Sequence, residues 1–208
     1  MKKQVIVAIC NMGKPKEKTV YGVTDETLKV SENPYRYPLN AYLEKNLSQG
    51  DDIKVILVAK KDPFNQYEQN IVDFEEELGE VNRTIGAKIQ VKTIVTEFSG
   101  DTKVHHDLLD AIVDEIEENT RITVDMTFGP KDVPFVAFAA LNFAERYLKC
   151  EINRILYGKA DFDEQGKPVN TMIWDLCSIY TINSISNKII NCEDQQRARA
   201  VLKKLLTI

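Results

Sequence analysis

Five short runs rich in β-branched residues, separated by amphipathic stretches, constrain this chain more than any other feature. Val5–Cys10, Ile53–Ala59, Ile89–Thr96, Ile122–Met126 and Ile152–Tyr157 read as strands. Apolar runs of that kind suit a parallel sheet covered on both faces. Between them, Leu39–Leu47, Gln66–Ile85, Lys103–Glu117 and Val133–Leu148 read as helices, with Leu108, Leu109, Ile112, Val113 and Ile116 at plainly helical spacing. Strand and helix in alternation predict an α/β chain. Its sheet is Rossmann-like, open and mostly parallel, with helices on both faces and right-handed crossovers.

Two regions break the alternation. Thr19–Val23 and Thr27–Val30 flank Gly22–Glu26 and predict a small hairpin in the long connection after the first strand. Long connections at a strand's carboxyl end are often functional. Beyond Gly158 come a polar turn at Asp161–Lys167, a strand at Val169–Trp174, and helices at Ser178–Ile190 and Asp194–Leu205. We expect one Rossmann-like domain over residues 1–175 and a helical extension over 176–208, with no separate effector domain.

Composition narrows the partners. The 208 residues hold 27 Lys and Arg against 32 Asp and Glu, a formal net charge of −5. A mildly acidic chain is a poor reader of duplex DNA, which rewards phosphate neutralisation. The basic residues Arg197, Arg199, Lys203 and Lys204 near the end read as a solvated or dimer-contact face. No segment approaches the roughly 18 apolar residues of a membrane span, and no signal-peptide pattern is present, so a cytoplasmic protein is expected. Cys10, Cys150, Cys177 and Cys192 form no C-x-x-C pair and read as reduced, structural thiols. His105 and His106 are adjacent and cannot share one helix face, which argues against a protein-only metal site. No cofactor is implied.

The chemistry gathers after the strands. The fourth ends in Thr127-Phe-Gly-Pro-Lys131 and passes directly into an apolar helix, Phe135 to Phe143, which must be covered by other elements. Asn11-Met-Gly-Lys14-Pro-Lys16-Glu-Lys18-Thr follows the first strand, Lys60-Lys61 the second, Ser99-Gly-Asp-Thr-Lys103 the third and Lys159 the fifth. In a parallel sheet these loops share one edge, where lysines and helix amino ends favour an anion. G-x-G-x-x-G and G-x-x-x-x-G-K-[ST] are both absent, which excludes dehydrogenase and P-loop readings. Ser99-Gly100-Asp101-Thr102 reads first as a helix N-cap, with phosphate contact as a second role. Asp125 is expected to brace its turn by accepting from the N–H groups of Phe128 and Gly129, ahead of any acid–base work.

Asp125-Met-Thr-Phe-Gly-Pro-Lys, the apolar helix with Phe138-Ala-Ala-Leu-Asn-Phe-Ala-Glu, and Ile155-Leu-Tyr-Gly-Lys together resemble the CARF (CRISPR-associated Rossmann fold) family. The closest branch is the one with a D-x-T-H-G motif, which here reads Asp125-Met126-Thr127-Phe128-Gly129, with Phe at the histidine position. The resemblance runs from Val5 to about Trp174. It implies a homodimer whose loops grip a cyclic oligoadenylate, the second messenger of type III CRISPR immunity. The mapped ligand contacts are Asn11, Met12, Gly13, Lys14, Ser99, Gly100, Asp101, Thr102, Thr127, Phe128, Gly129, Pro130 and Lys131. No arginine is followed closely by His105 or His106, so no HEPN ribonuclease is expected in the chain. The resemblance implies a stand-alone sensor acting on a separate effector protein. Its alternative is a ring nuclease that cleaves the messenger by metal-independent 2′-hydroxyl attack, with Lys14, Lys131, His105 and Ser99 as candidate catalytic residues.

Overall fold

The computed structural model describes residues 3–10, 17–189 and 194–205. It divides into two compact units, Met1–Asp175 and Leu176–Ile208. The first is α/β. Seven strands form one sheet: β1 (Gln4–Cys10), β2 (Gly22–Val23), β3 (Asp52–Lys60), β4 (Lys88–Thr96), β5 (Arg121–Phe128), β6 (Glu151–Phe162) and β7 (Pro168–Asp175). Their order is β2-β7-β6-β5-β1-β3-β4. Strands β4, β3, β1, β5 and β6 are mutually parallel, and β7 runs antiparallel to β6.

Four helices of this unit follow the long strands: α1 (Pro38–Asn46), α2 (Gln66–Ile85), α3 (Thr102–Glu115) and α4 (Asp132–Tyr147). α1 packs with α2, and α3 with α4. That pairing is the outcome of right-handed crossovers moving first one way along the sheet and then back across it. Side chains alternate along a strand, so β1 serves both layers. Ile6, Ala8 and Cys10 join Leu39, Leu43, Phe74 and Leu78 in one core, while Val5, Val7 and Ile9 are buried on the other side. The second unit holds α5 (Cys177–Ile189) and α6 (Gln195–Leu205).

Helix bounds fall within two residues of the sequence expectation. The hairpin does not form. Thr19 makes an isolated antiparallel bridge to Tyr35, and Gly22–Val23 pairs in parallel with Met172 and Ile173 of β7. A two-residue strand gains more from the open edge that β7 offers at the end of the other six strands than from a lone hairpin, which is marginal in water. β6 also runs on to Phe162, so Lys159 lies inside a strand opposite Met172 rather than in a loop beyond it.

The apolar helix α4 is not covered all round. Val133, Ala137, Ala140, Leu141 and Ala144 are buried, but Phe135 is 78% exposed and Tyr147 67%, with Phe143 on the same outward stripe. Phe143 and Tyr147 pack against each other with their rings tilted by 38°, centroids 4.9 Å apart.

One glycine is required by a close approach. A Cβ on Gly158 would lie 2.6 Å from Cγ of Pro38 and 3.1 Å from Cγ2 of Thr127. Pro38 opens α1 and its ring has no freedom to turn aside. Gly158→Ala is therefore expected to destabilise the fold by about 2 kcal/mol, the range of core overpacking. A urea midpoint equal to that of the wild type would show that α1 is not held this tightly against β6.

Candidate functional site

The order in which the chain fills the sheet determines where a crevice opens. From β1 it steps through α1 to β3 and β4, then returns through α3 to β5 on the other side of β1. The strand order reverses between β1 and β5, so the connections leaving their carboxyl ends diverge to opposite faces. Asn11, Met12, Gly13, Lys14 and Lys16, expected to line this place after β1, lie outside the described residues.

The turn after β5 is described in full. A register shift places Ala8 opposite Asp125 but Cys10 opposite Phe128, so β5 carries one extra residue here. Such a bulge re-aims the following side chains. Phe128 packs edge-on against Tyr37, centroids 5.8 Å apart, and Tyr37 edge-on against Phe74 at 5.0 Å. Phe128 therefore builds core against α1 and α2. Gly129 adopts φ +131°, a conformation L side chains rarely reach. Lys131 stands exposed at the N-cap of α4, without a side-chain cap hydrogen bond.

Asp125 acts on a different partner from the one expected. Its carboxylate accepts from the Thr127 N–H at 2.9 Å, from the Thr127 hydroxyl and from the Leu39 N–H, not from Phe128 and Gly129. The Leu39 N–H belongs to the first turn of α1, whose own N-cap, Tyr37, supplies no side-chain acceptor. Asp125 thus caps α1 from across the sheet. Thr127 also accepts from the Gly158 N–H at 2.8 Å, tying β5 to β6. Burial pushes the Asp125 carboxyl up to about 6, against the pull of these donors. The Asp–x–Thr and Tyr–Gly motifs are accordingly a joint between β5, β6 and α1.

On the α3–α4 side a cluster crosses the end of β1. Lys60 closes β3 and is only 2% exposed. Its ammonium lies 2.5 Å from Oδ2 of Asp132, donates to the Ser99 carbonyl at 3.3 Å and sits 5.5 Å from the Phe98 ring centroid. The same Asp132 oxygen is 2.9 Å from Nε2 of His105 in the first turn of α3. Burial opposes ionisation of Asp132, but hydrogen bonds from Lys60 and His105, with the Lys60 charge, hold its carboxyl below the ordinary range. Asp132 also begins α4, where the helix dipole favours an anion.

The loop before α3 satisfies its polar groups locally. Asp101 is the N-cap and accepts from the Lys103 N–H at 2.8 Å, and the Ser99 hydroxyl accepts from the Asp101 N–H at 3.1 Å. A carboxylate already occupies that helix end, so capping is the role the geometry supports at Ser99–Thr102. A Cβ on Gly100 would meet nothing within 4 Å.

Ion pairs absorb most of the expected lysines. Lys18 meets Glu80, Lys61 meets Glu97, Lys103 meets Asp107 and Lys159 meets Asp161. Among the described residues of that set, Lys131 has no ion pair. The structure thus brings Lys131, His105 and Ser99 to the same edge of the sheet, while Thr127 and Phe128 turn inward. Lys60 as a buried clamp and Asp132 as its acceptor were missed. Lys60 could have been suspected from its parity with Ile56 and Val58, which places it on a buried face. Neither a protein-family model nor a curated protein matches the chain.

Proposed function

We propose that this is a type III CRISPR-associated protein, a cytoplasmic stand-alone sensor that binds a cyclic oligoadenylate across a homodimer interface and signals to a separate effector. The observation that carries it is where the outward stripe of α4 begins. Phe135 lies one turn from Lys131 at the crevice, and Phe143 and Tyr147 continue the stripe. A second copy covering these rings about a two-fold axis brings two crevices, each with a Gly129–Lys131 turn, to face one another. Aromatic side chains each bury roughly 150–250 Å², so three per protomer supply an apolar centre for such an interface. A ring of phosphates with its own symmetry axis fits a doubled site with a lysine from each protomer. Among the described residues, no helix is long and apolar enough to cross a membrane.

The test is titration calorimetry with cyclic tri-, tetra- and hexa-adenylate, alongside molar mass by light scattering. The expected result is a dimer binding one ring per two chains. Lys131→Ala is expected to weaken binding about tenfold or more, as loss of a charge-assisted phosphate contact does. A monomer, or a dimer that binds none of the three rings, would dispose of the proposal.

A further inference from the structure

The sheet ends unfinished on one side. β4 lies outermost beyond β3, and among the described residues nothing pairs with its other edge. Two hydrogen bonds fix which of its backbone groups are free. The Lys88 N–H donates to the Asp51 carbonyl, and the Thr96 carbonyl accepts from the Lys61 N–H, each at 2.8 Å. In a parallel ladder a residue bonded to its neighbour turns both N–H and C=O that way, and the next residue turns both away. Lys88, Gln90, Lys92, Ile94 and Thr96 therefore bond toward β3. Ile89, Val91, Thr93 and Val95 direct their N–H and C=O groups outward.

The strand itself carries no steric guard. β4 pairs with β3 in unbroken register from Lys88 to Thr96, without a bulge, and holds no proline. Bulges, prolines and charge are what keep an open edge from adding a further strand. Charge alone serves here. Lys88, Gln90 and Lys92 are exposed on the face that carries α3. Full antiparallel overlap of two copies of β4 would set Lys92 against Lys92, and like charges directly opposite are destabilising. The same lysines admit a strand of opposite charge. Glu115 is shared between Lys54 at 2.6 Å and Lys92 at 3.3 Å. Lys88 lies beside Asp52 of β3 and makes no ion pair among the described residues. Three lysines thus meet two carboxylates. The other face is apolar: Ile89 and Val91 pack partly buried against the α1–α2 core, and Val95 is 42% exposed.

We infer that β4 is a docking edge for an extended segment of a partner protein, added antiparallel beside it as one more strand. The segment alternates apolar side chains, over Ile89, Val91 and Val95, with polar ones that include two acids four residues apart. That spacing follows from the ladder. Lys88 and Lys92 occupy non-hydrogen-bonded positions of such a pair, where opposed Cα atoms come closest, about 4.5 Å apart. Acids opposite them meet both ammonium groups. Antiparallel pairing is slightly the more stable, and the far side of the same sheet already uses it, β7 on β6. The inference does not depend on what binds at the carboxyl end of the sheet.

The probe is a peptide as long as β4, valine alternating with threonine, with glutamate at two threonine positions four residues apart. Its binding to the full chain is followed by fluorescence anisotropy, and amide exchange by NMR. Exchange is expected to slow at Ile89, Val91, Thr93 and Val95 but not at Gln90, Lys92 and Ile94, which are already bonded. A peptide with lysine in place of glutamate should bind about tenfold more weakly, and that difference should vanish in the double variant Lys88→Gln, Lys92→Gln. N-methylation of the valines, whose N–H groups face β4, should abolish binding. Thr93→Pro removes an outward donor while leaving the β3 ladder intact, and should weaken binding about tenfold. Its urea midpoint checks that it folds, and the methylated peptide carries the test if it does not. Absence of binding, equal affinity for the two charged peptides, or binding that survives N-methylation would each overturn the inference. Unchanged exchange at the four outward amides in the complex would do the same. If Thr93→Pro instead broke up an oligomer of the free chain, the occupant would be a second copy, and the partner strand would be wrong.

Discussion

Glu77→Ala is expected to cost the fold about 4 kcal/mol, because a single buried carboxylate serves three donors at the entry to α1. Glu77 is 3% exposed on the inner face of α2. One oxygen accepts from the Arg36 N–H at 2.9 Å; the other accepts from the Tyr37 N–H and the Asn40 amide, each at 3.0 Å. These donors crowd the end of a helix that has no cap of its own. Removing the carboxylate strands two backbone N–H groups and a side-chain amide. Each orphaned buried donor costs roughly 1–3 kcal/mol. Against a typical total of about 5–15 kcal/mol, that is a large fraction of the stability.

Glu77→Gln separates the causes. Glutamine keeps one oxygen but turns an amide NH₂ toward donors at the other, so it should recover only part of the loss. The measurement is the urea midpoint of both variants at constant slope. A loss below about 1 kcal/mol for the alanine variant would show that water replaces the carboxylate. The effect also reaches the crevice. Tyr37 holds Phe128, and Pro38 rests against Gly158, so a loosened α1 loosens the turn that presents Lys131.

Glu77 also marks how far the amino-acid pattern carries. The fold was legible because its signals are local: β-branched runs, helical spacing and their alternation. Glu77 stands among Glu75, Glu76 and Glu77, which look alike as neighbours. Yet Asn70, Phe74, Glu77, Leu78, Val81 and Ile85 share one buried face, and that spacing singles it out. The contacts that shape the site were not legible, since they join residues far apart in the chain. Lys18 finds Glu80, Lys61 finds Glu97 and Lys60 finds Asp132 only once the sheet is assembled. Each pairing removed a lysine from the expected anion edge. The hairpin failed for a related reason: β2 took its partner from β7, far along the chain. The role of Phe128 depended on a bulge, which no periodicity announces.

Asp125→Asn is expected to change the pH dependence of stability across the acidic range strongly, because burial raises this carboxyl. In the unfolded chain Asp125 titrates near 3.8; in the fold, burial pushes it up to about 6. Below the unfolded value both states are protonated and its contribution to stability is complete. Between the two values the unfolded state is ionised and the folded state is not, so each unit of rising pH favours unfolding. The contribution is lost as pH passes through the folded value, about 3 kcal/mol over roughly two units. Asp132 and Glu115, whose carboxyls are held low, work in the opposite direction as the pH rises. The raw profile therefore blends opposing trends, and the difference between wild type and Asp125→Asn isolates the one carboxyl. The asparagine imposes a penalty of its own, because an NH₂ must face one of the donors around position 125. That penalty does not depend on pH and drops out of the slope. The advantage of the wild type over the variant should be greatest below about pH 4 and shrink by about 3 kcal/mol by about pH 7. Urea midpoints at several pH values would show it. A flat difference would mean that Asp125 keeps an ordinary pKa. An advantage that grew with pH would mean that the donors from Thr127 and Leu39 outweigh burial, making the carboxylate a charged cap for α1.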